Sequence, residues 1–305
     1  MNDLIRQAIA AEAEERVDSR TVLAGLHKAK KRKPFGLIAG VATLTAAAAV
    51  AAVVVPTTIK KTDASPAAPP AASQNVLLIG TDDRELTDAL VLARFEADGS
   101  VIAVSLPRDL QVGEKKINRL YERDPEELTG AVEQLTGVEV DHYAAVDMSG
   151  FGRIAQVVGG VEVCLLAATE DERSGASFPA GRQTLEGDRA LAFLRQRMGL
   201  PQGDLDRVKR HQAFLTGLAA KISKDNALAL AAEVGKSVRV DEGWDVLAFA
   251  QRFQGPVKIV TGTLPVGAPV DGPAGQALQA DPGASRQFVA DWFSGKGTPQ
   301  DGCVR

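Results

Sequence analysis

The sequence predicts an α/β layer protein built on one continuous sheet, with a single transmembrane helix before it. From residue 75 onward, short apolar runs typical of strands alternate with longer segments of helical periodicity, as in layered α/β domains. No repeat or break in composition marks a second domain in that region. An uncharged run of twenty residues, Gly36–Val55, precedes it and has the length needed to cross a bilayer.

The first 74 residues of the sequence predict a membrane topology. Residues 1–35 are polar and include five basic side chains between Lys28 and Lys33, whereas the apolar run is followed closely by only Lys60 and Lys61. Because basic residues favour the cytoplasmic side, we expect a cytoplasmic segment at 1–35, a membrane span at 36–55 and an extracytoplasmic remainder. Cleavage near the alanine-rich end of the run is the alternative. Residues 56–74 have the composition of a linker.

The predicted domain covers residues 75–295, and residues 296–305 form a C-terminal tail. Apolar runs bounded by turn residues predict strands, and apolar residues at helical spacing predict helices. The predicted strands are Val76–Ile79, Ala89–Phe95, Val101–Leu106, Tyr143–Val146, Val161–Leu166 and Val257–Leu264. The predicted helices are Pro125–Thr136, Phe151–Val158, Gly187–Arg197, Asp204–Ile222, Ala227–Val234, Trp244–Phe253 and Ser285–Phe293.

Composition excludes several classes of function. The formal net charge of −4 argues against a generally basic nucleic-acid-binding protein. The three histidines cannot supply a helical two-histidine metal site, and the chain has no G-x-S-x-G elbow and no P-loop. Cys164 and Cys303 lack C-x-x-C spacing. Outside the cytosol they favour a disulfide that ties the tail to the domain, and two unrelated thiols are the alternative.

Four arginines flank one predicted turn: Arg195, Arg197, Arg207 and Arg210. Guanidinium groups brought this close repel one another unless an anion lies between them, and their planar forks suit phosphate oxygens. The pattern therefore indicates a phosphate site between two helices. The alternative is a charged helix face with two helical ion pairs, Asp204–Arg207 and Asp206–Arg210.

Further charged side chains follow the ends of predicted strands, where α/β folds place their ligands. Asp82 and Asp88 lie six residues apart, and two such carboxylates can hold Mg²⁺ together with water and phosphate oxygens. A solvated acidic turn fits this spacing equally well. Arg108 follows a proline that fixes the backbone for an anion contact, although an ion pair with Asp109 is the alternative. Lys116 adds another positive charge nearby.

Seven motifs occur in one order along the chain. They are G-T-D-D-R with T-D (80–88), S-L-P-R-D (105–109), K-I-N (116–118), L-T-G (135–137), G-G-V (159–161), A-L-x-x-x-R-x-R (190–197) and G-D-x-x-R-x-x-R (203–210). Over residues 75–295 this set resembles the LytR-CpsA-Psr family of cell-wall glycopolymer ligases. The predicted anchor fits the topology of that family, and the pair of cysteines is similar to that of its actinobacterial members.

The resemblance implies a three-layer α-β-α fold around a central mixed sheet and the activity of a Mg²⁺-dependent phosphotransferase. The topology predicted above places the protein in the cell membrane, single-pass, with its catalytic domain outside the cytoplasm. It also accounts for the basic residues at 28–33, so no nucleic-acid partner is expected.

The resemblance also implies transfer of a polyprenyl-pyrophosphate-linked glycan to peptidoglycan and release of polyprenyl phosphate, with the lipid tail in an apolar tunnel. Carried over by motif, the pyrophosphate-binding residues are Arg108, Lys116, Arg195, Arg197, Arg207 and Arg210. The metal ligands are Asp82 and Asp88, either of which could instead accept the proton of the attacking hydroxyl. The implied catalytic residues are Asp82, Asp88, Arg108, Arg207 and Arg210.

The sequence departs from the family pattern in places. The loop at 84–88 is short, and no glycine pair follows the K-I-N segment. His211 interrupts the usual arginine–glutamine pair. None of these departures removes a charged residue that the implied reaction needs. Two other functions stay open: hydrolysis of the lipid pyrophosphate by water, and a non-enzymatic envelope regulator that binds the lipid.

Overall fold

A computed structural model of the chain describes residues 72–82, 84–121, 125–250, 252–253, 255–273, 275–299 and 302–305. The predicted cytoplasmic and transmembrane segments, and most of the predicted linker, lie outside this part of the chain. Within the residues described, no helix has the length and apolar character needed to cross a membrane.

Strands and helices alternate along the chain, as predicted. The strands are β1 (Gln74–Thr81), β2 (Thr87–Phe95), β3 (Val101–Ser105), β4 (Gln111–Val112), β5 (Lys115–Lys116), β6 (His142–Asp147), β7 (Val161–Leu165), β8 (Thr169–Asp171), β9 (Ala176–Phe178), β10 (Gly181–Leu185), β11 (Val238–Val240), β12 (Ile259–Thr263), β13 (Pro269–Gly272) and β14 (Gly275–Leu278). The helices are α1 (Pro125–Thr136), α2 (Met148–Val157), α3 (Gly187–Arg195), α4 (Asp204–Lys221), α5 (Ala227–Ser237), α6 (Val246–Ala250) and α7 (Pro282–Phe293). A 3-10 turn covers Ile117–Arg119.

Six strands form the central sheet in the order β11–β6–β1–β2–β3–β12. β1 pairs parallel with β6 and antiparallel with β2, and β3 pairs antiparallel with β2 and parallel with β12. β11 closes the other edge antiparallel to β6. The predicted mixed α/β fold with a central mixed sheet is therefore confirmed.

Helices cover both faces of the sheet because the central strands are apolar on both sides. Leu90 and Leu92 of β2 belong to a core cluster that contains side chains of α1 and α7. The alternate residues Val91 and Ala93 belong to a cluster on the opposite face, against which Leu215 of α4 packs. This two-residue alternation is what a strand buried between two layers requires.

One edge of the sheet collects several of the predicted site residues. Because β1, β3, β6 and β12 run in one direction and β2 runs in the other, the ends of the first four meet the start of β2. Asp82 directly follows β1, Asp88 is the second residue of β2, and Arg108 follows β3. The topology therefore brings charged residues from separate motifs to one place, as expected at strand ends of an α/β fold.

The last residues of the chain lie along β7. Cys164 and Cys303 form a disulfide with their Cα atoms 4.5 Å apart, so the predicted pairing is present. Val304 extends the contact, because its N–H donates to Cys164 O at 2.8 Å and its carbonyl accepts from Leu166 N at 2.8 Å. The tail is thus tied to the domain by both a covalent bond and backbone pairing.

Candidate active site

The carboxylate of Asp88 is the centre of the site and is only 9% exposed. Its Oδ1 accepts hydrogen bonds from Arg108 Nη1, from Arg197 Nη2 at 2.9 Å and from Arg207 Nη1 at 3.1 Å. These three arginines come from the segment after β3, the turn after α3 and the first turns of α4. One carboxylate faces three guanidinium groups, so the cluster keeps an excess of positive charge.

The charges in this cluster alter one another's titration. Burial acts to raise the pKa of Asp88, but the positive charges of Arg207, Arg108 and Arg197 outweigh it and hold the pKa below its ordinary value. The pKa of Arg197 is also lowered, because burial and the like charges of Arg207 and Arg108 outweigh the attraction of Asp88. Asp88 is therefore ionised at neutral pH, and the arginines are crowded by like charge.

A cavity of about 320 Å³ opens beside Asp88. Its lining residues are Asp82, Arg84, Asp88, Arg195, Arg197 and Arg207. Four guanidinium groups and two carboxylates give this lining a formal charge of +2. A concave surface with this charge favours a multiply charged anion over a neutral ligand.

Two buried guanidinium nitrogens at the site have unused hydrogen-bonding capacity. Arg108 Nε and Arg207 Nε are both buried and have no hydrogen-bond partner among the described residues. Leaving a buried donor unsatisfied typically costs about 1–3 kcal/mol. Arg207 lines the cavity, so its unused donor supports an anion site there. Arg108 lies outside the lining, and its Nε is 4.0 Å from Asp109 Oδ1.

Two glycines shape the turn that carries the arginines. Gly199 and Gly203 have φ values of +74° and +53°, a region that other residues rarely adopt. A Cβ on Gly199 would also lie 3.0 Å from the carbonyl oxygen of Glu170. The two glycines therefore allow the tight turn between the end of α3 at Arg195 and the start of α4 at Asp204.

Both interpretations of the arginine pattern describe part of the structure. Arg207 donates from Nη2 to Asp204 Oδ1 at 2.5 Å, which is the predicted helical ion pair, while Nη1 reaches Asp88. The second predicted pair is replaced, because Asp206 is bonded to Lys209 at 3.3 Å and to the backbone N–H of Gln202 at 2.9 Å. Arg207 therefore bridges a helical ion pair and the cavity.

Six of the eight predicted site residues, Asp88 among them, either line the cavity or bond to Asp88. They are Asp82, Asp88, Arg108, Arg195, Arg197 and Arg207. Asp82 also shapes its own loop, because its Oδ1 accepts from the backbone N–H groups of Arg84 and Leu86, both at 2.9 Å.

The structure places Lys116 and Arg210 outside the cavity lining. Lys116 Nζ donates to Asp109 Oδ1 at 3.0 Å. Arg210 is fully buried, and its Nε donates to Arg305 O at 2.6 Å while Nη2 donates to Thr169 Oγ1 at 2.9 Å. Its guanidinium carbon lies 4.7 Å from the ring centre of Phe193, and burial lowers its pKa to about 10.

The carboxylates of the site fit Mg²⁺ only in combination with a phosphate ligand. Among the described residues, Asp82 and Asp88 accept hydrogen bonds through Oδ1 alone, which leaves Oδ2 of each for a cation. The part of the chain that the structure describes has no group of three or more His, Cys, Asp or Glu side chains that could hold a metal. Mg²⁺ is commonly bound by one or two carboxylates, substrate phosphates and water. The free oxygens of Asp82 and Asp88 could supply the two carboxylate ligands.

Two residues of functional interest were not predicted. Arg84 lines the cavity and belongs to the G-T-D-D-R motif, so the motif itself was a usable signal. Asp171, on the short strand β8, accepts hydrogen bonds from the backbone of Arg197 and Met198. No pattern in the sequence indicates that contact, since the three-residue strand lies far from both arginine motifs.

Comparison with known proteins agrees with this geometry. A family model described as the LytR_cpsA_psr family matches residues 44–280. The cell wall biosynthesis protein LcpA of Corynebacterium glutamicum is 37% identical over 233 residues, which are 63% of this chain and 45% of that protein. The probable cell wall biosynthesis protein LcpB of the same organism is 30% identical over 254 residues, which are 71% of this chain and 60% of that protein. The chain spans about half the length of the curated relatives it matches.

Solved structures show the same fold. The LytR-Csp2A-Psr enzyme from Actinomyces oris has a TM-score of 0.62 and 23% identity, covering 72% of this chain and 89% of its own. TagT bound to LI-WTA has a TM-score of 0.59 and 19% identity, covering 78% of this chain and 95% of its own. Because the family model covers most of the described domain and the fold agrees, the chain belongs to the LytR_cpsA_psr family.

Proposed function

We propose that the protein is a membrane-anchored, Mg²⁺-dependent phosphotransferase. It transfers the glycan phosphate of a polyprenyl-pyrophosphate-linked glycopolymer to a hydroxyl of peptidoglycan and releases polyprenyl phosphate. The observation that carries this proposal is the contact of Asp88 with three arginines beside a cavity whose lining has a charge of +2. Pyrophosphate has the charge and the acceptor oxygens that such a site lacks.

The names of relatives support the choice of substrates. A protein of Bacillus cereus, 35% identical over 160 residues, is named polyisoprenyl-teichoic acid–peptidoglycan teichoic acid transferase TagU. LcpA of Corynebacterium glutamicum is named for cell wall biosynthesis. A lipid-linked donor and a peptidoglycan acceptor are therefore the substrate classes that we assign to this chain.

The chemical step follows from the charges at the site. The acceptor oxygen forms a bond to the phosphorus that carries the glycan, and the bridging P–O bond to the polyprenyl phosphate breaks. Negative charge grows on the leaving phosphate, where Arg108, Arg197 and Arg207 stabilise it; such placed charges supply most of the catalysis in phosphoryl transfer.

The proton of the attacking hydroxyl passes to Asp82 or Asp88, the two carboxylates in the cavity lining. The same two residues would hold Mg²⁺, which when bound neutralises phosphate oxygens as a Lewis acid. One of the two carboxylates can hold Mg²⁺ while the other accepts the proton of the attacking hydroxyl.

The membrane anchor brings the site to its lipid substrate. The run Gly36–Val55 would cross the membrane once, and residues 56–74 would hold the catalytic domain close to the outer surface of the cell membrane. The Cys164–Cys303 disulfide supports an extracytoplasmic location, because such bonds persist in oxidising compartments. A reporter enzyme active only outside the cytosol, fused after Arg305, should be active; activity of a cytosol-only reporter would contradict this topology.

The reaction itself is tested with the full-length protein in detergent, a labelled polyprenyl-pyrophosphate glycan and Mg²⁺. Release of polyprenyl phosphate should require peptidoglycan and should stop when EDTA removes the metal. Equal release without peptidoglycan would instead identify a hydrolase. Bound lipid that never turns over would identify a lipid-binding regulator.

A further inference from the structure

A short hairpin outside all the arginine motifs contacts the backbone of the site. Asp171, the last residue of β8, is buried, and its Oδ2 accepts from the backbone N–H of Arg197 at 3.0 Å and of Met198 at 3.1 Å. Its Oδ1 accepts from Arg173 N at 2.9 Å within the hairpin turn. One carboxylate thus links the hairpin to the turn that carries Arg197.

The first residue of β8 makes a second connection to the same turn. Thr169 Oγ1 lies 3.1 Å from Gln196 Oε1 and donates to it, and Gln196 Nε2 donates to Met198 O at 3.1 Å. Gln196 is fully buried. The middle residue contacts the turn as well, because the carbonyl oxygen of Glu170 lies only 3.0 Å from the position that a Cβ on Gly199 would take.

Arg210 contacts the hairpin through the hydroxyl of Thr169. Its Nη2 donates to Thr169 Oγ1 at 2.9 Å, and its Nε donates to the carbonyl of Arg305 in the segment held by the disulfide. The hydroxyl of Thr169 therefore accepts from Arg210 while it donates to Gln196. A chain of contacts runs from the tail through Arg210 and Thr169 to the turn.

The Arg197 side chain extends from this turn toward Asp88. It is 46% exposed and reaches Asp88 through one nitrogen at 2.9 Å. A long, half-exposed side chain has many rotamers, and fixing its backbone removes part of that freedom before a ligand arrives. A displacement of about 1 Å can cost about a hundredfold in rate.

We propose that Asp171 and Thr169 are positioning residues that hold the backbone of Arg197 and so direct its guanidinium into the cavity, and that Arg210 supports them instead of binding phosphate. The identity of the anion in this inference rests on the proposed function. The positioning itself does not, because the backbone contacts exist whatever the ligand is.

The experiment compares Asp171→Ala and Thr169→Val with Asp281→Ala in the full-length protein. Asp281 is a matched control, since it also accepts a backbone hydrogen bond, from Ala284 N at 2.7 Å, but at the start of α7. Two quantities are measured: amide hydrogen exchange at Arg197 and Met198, and the Kd for inorganic pyrophosphate by calorimetry.

Both site variants should exchange at least tenfold faster at Arg197 and Met198 and should bind pyrophosphate about tenfold more weakly, since a misplaced arginine loses part of its contact. Asp281→Ala should change neither. Unchanged exchange in a folded Asp171→Ala protein would overturn the proposal, and so would faster exchange with unchanged affinity while Arg197→Ala weakens binding. Should Asp171→Ala fail to fold, Thr169→Val, which keeps the shape of the side chain, gives the same two readouts.

The two ideas fail separately. If the wild type does not bind pyrophosphate, the proposed function fails, whereas the exchange rates still decide whether the hairpin fixes the turn. If the wild type binds and the exchange rates do not respond, the proposed function stands and the positioning role is wrong.

Discussion

Asp88 and Arg207 are 119 residues apart in the chain, yet Arg207 Nη1 donates to Asp88 Oδ1 across 3.1 Å inside the domain. Arg207 is only 1% exposed, and its other terminal nitrogen donates to Asp204. Asp88 thus occupies the guanidinium groups that a phosphate would need. Its carboxylate is the counter-charge of the cluster, and under the proposed function a bound phosphate would compete with it.

The substitution Asp88→Asn tests this competition. Loss of the negative charge should strengthen binding of inorganic pyrophosphate in EDTA by about tenfold, which corresponds to about 1.4 kcal/mol. The same change should lower the free energy of unfolding by about 3 kcal/mol, because crowded buried arginines lose their partner. Calorimetric titration and urea unfolding measure the two effects. Weaker binding of pyrophosphate by the variant would show that Asp88 assists the anion instead of competing with it.

Arg207→Lys tests the need for a guanidinium at this position. An ammonium group is a single point of charge, so it cannot bridge Asp88 and Asp204 while it binds a phosphate oxygen. Transfer activity should fall about a hundredfold, in line with the loss of one donor at a developing charge. Lys209→Met is the control on the same helix, since Lys209 is partly exposed and pairs with Asp206; its activity should match that of the wild type. Full activity of Arg207→Lys would show that transfer does not need Arg207 to bridge Asp88 and Asp204.

The disulfide should contribute mainly to stability. It closes a separation of 139 residues, for which the chain-entropy model gives up to about 5 kcal/mol, and measured losses are typically about 2–5 kcal/mol. Replacing Cys164 and Cys303 together by alanine should therefore lower the free energy of unfolding by that amount in urea. Wild type kept in dithiothreitol should unfold like the double variant. An unchanged unfolding midpoint would mean that backbone pairing alone holds the tail.

His211 should make stability depend on pH below neutrality. Burial, with the charge of Arg207 next, lowers its pKa from 6.5 to about 3, and its Nε2 lies 2.9 Å from Leu194 O as a donor. The unfolded chain takes up a proton near pH 6.5 and the folded protein does not, so the contribution is complete above that pH. It is lost as the pH falls from 6.5 toward 3, by up to about 1.4 kcal/mol per pH unit.

Urea unfolding at pH 7 and pH 5 measures this loss in the wild type and in His211→Gln. The amide of glutamine can donate to the same carbonyl without titrating, so the variant should lose much less stability between the two pH values. Carboxylates such as Asp88, whose pKa is lowered from 3.8, contribute a loss only at lower pH. An equal loss in both proteins would assign the effect to other groups.

The fold was largely predictable because its strong patterns are local. β2 is a continuous apolar run in the sequence, as a strand buried on both faces requires, and α1 has the predicted bounds, Pro125–Thr136. The ribbons β4–β5, β8–β9 and β13–β14 were not predicted, because strands of two to four residues show no periodicity. Their existence depends on contacts with distant parts of the chain.

Part of the site was predictable, because its charged motifs directly follow predicted strands or lie in the first turns of a predicted helix. The gathering of Asp88, Arg108 and Arg207 follows from that rule together with the mixed sheet. The position of Arg210 does not follow, because a spacing of three residues places two side chains on similar faces of a helix but does not fix where their ends go. Its contacts with Thr169 and Arg305 depend on tertiary structure.

The most direct measurement of the central claim is mass spectrometry of the products formed from a polyprenyl-pyrophosphate glycan, Mg²⁺ and a peptidoglycan acceptor. Wild-type protein should yield glycan joined to the acceptor through a phosphodiester, together with polyprenyl phosphate. Asp88→Ala should yield neither, although it still folds and binds inorganic pyrophosphate. Adduct formed equally by both proteins would contradict the role of Asp88, and free glycan phosphate without adduct would contradict transfer to peptidoglycan.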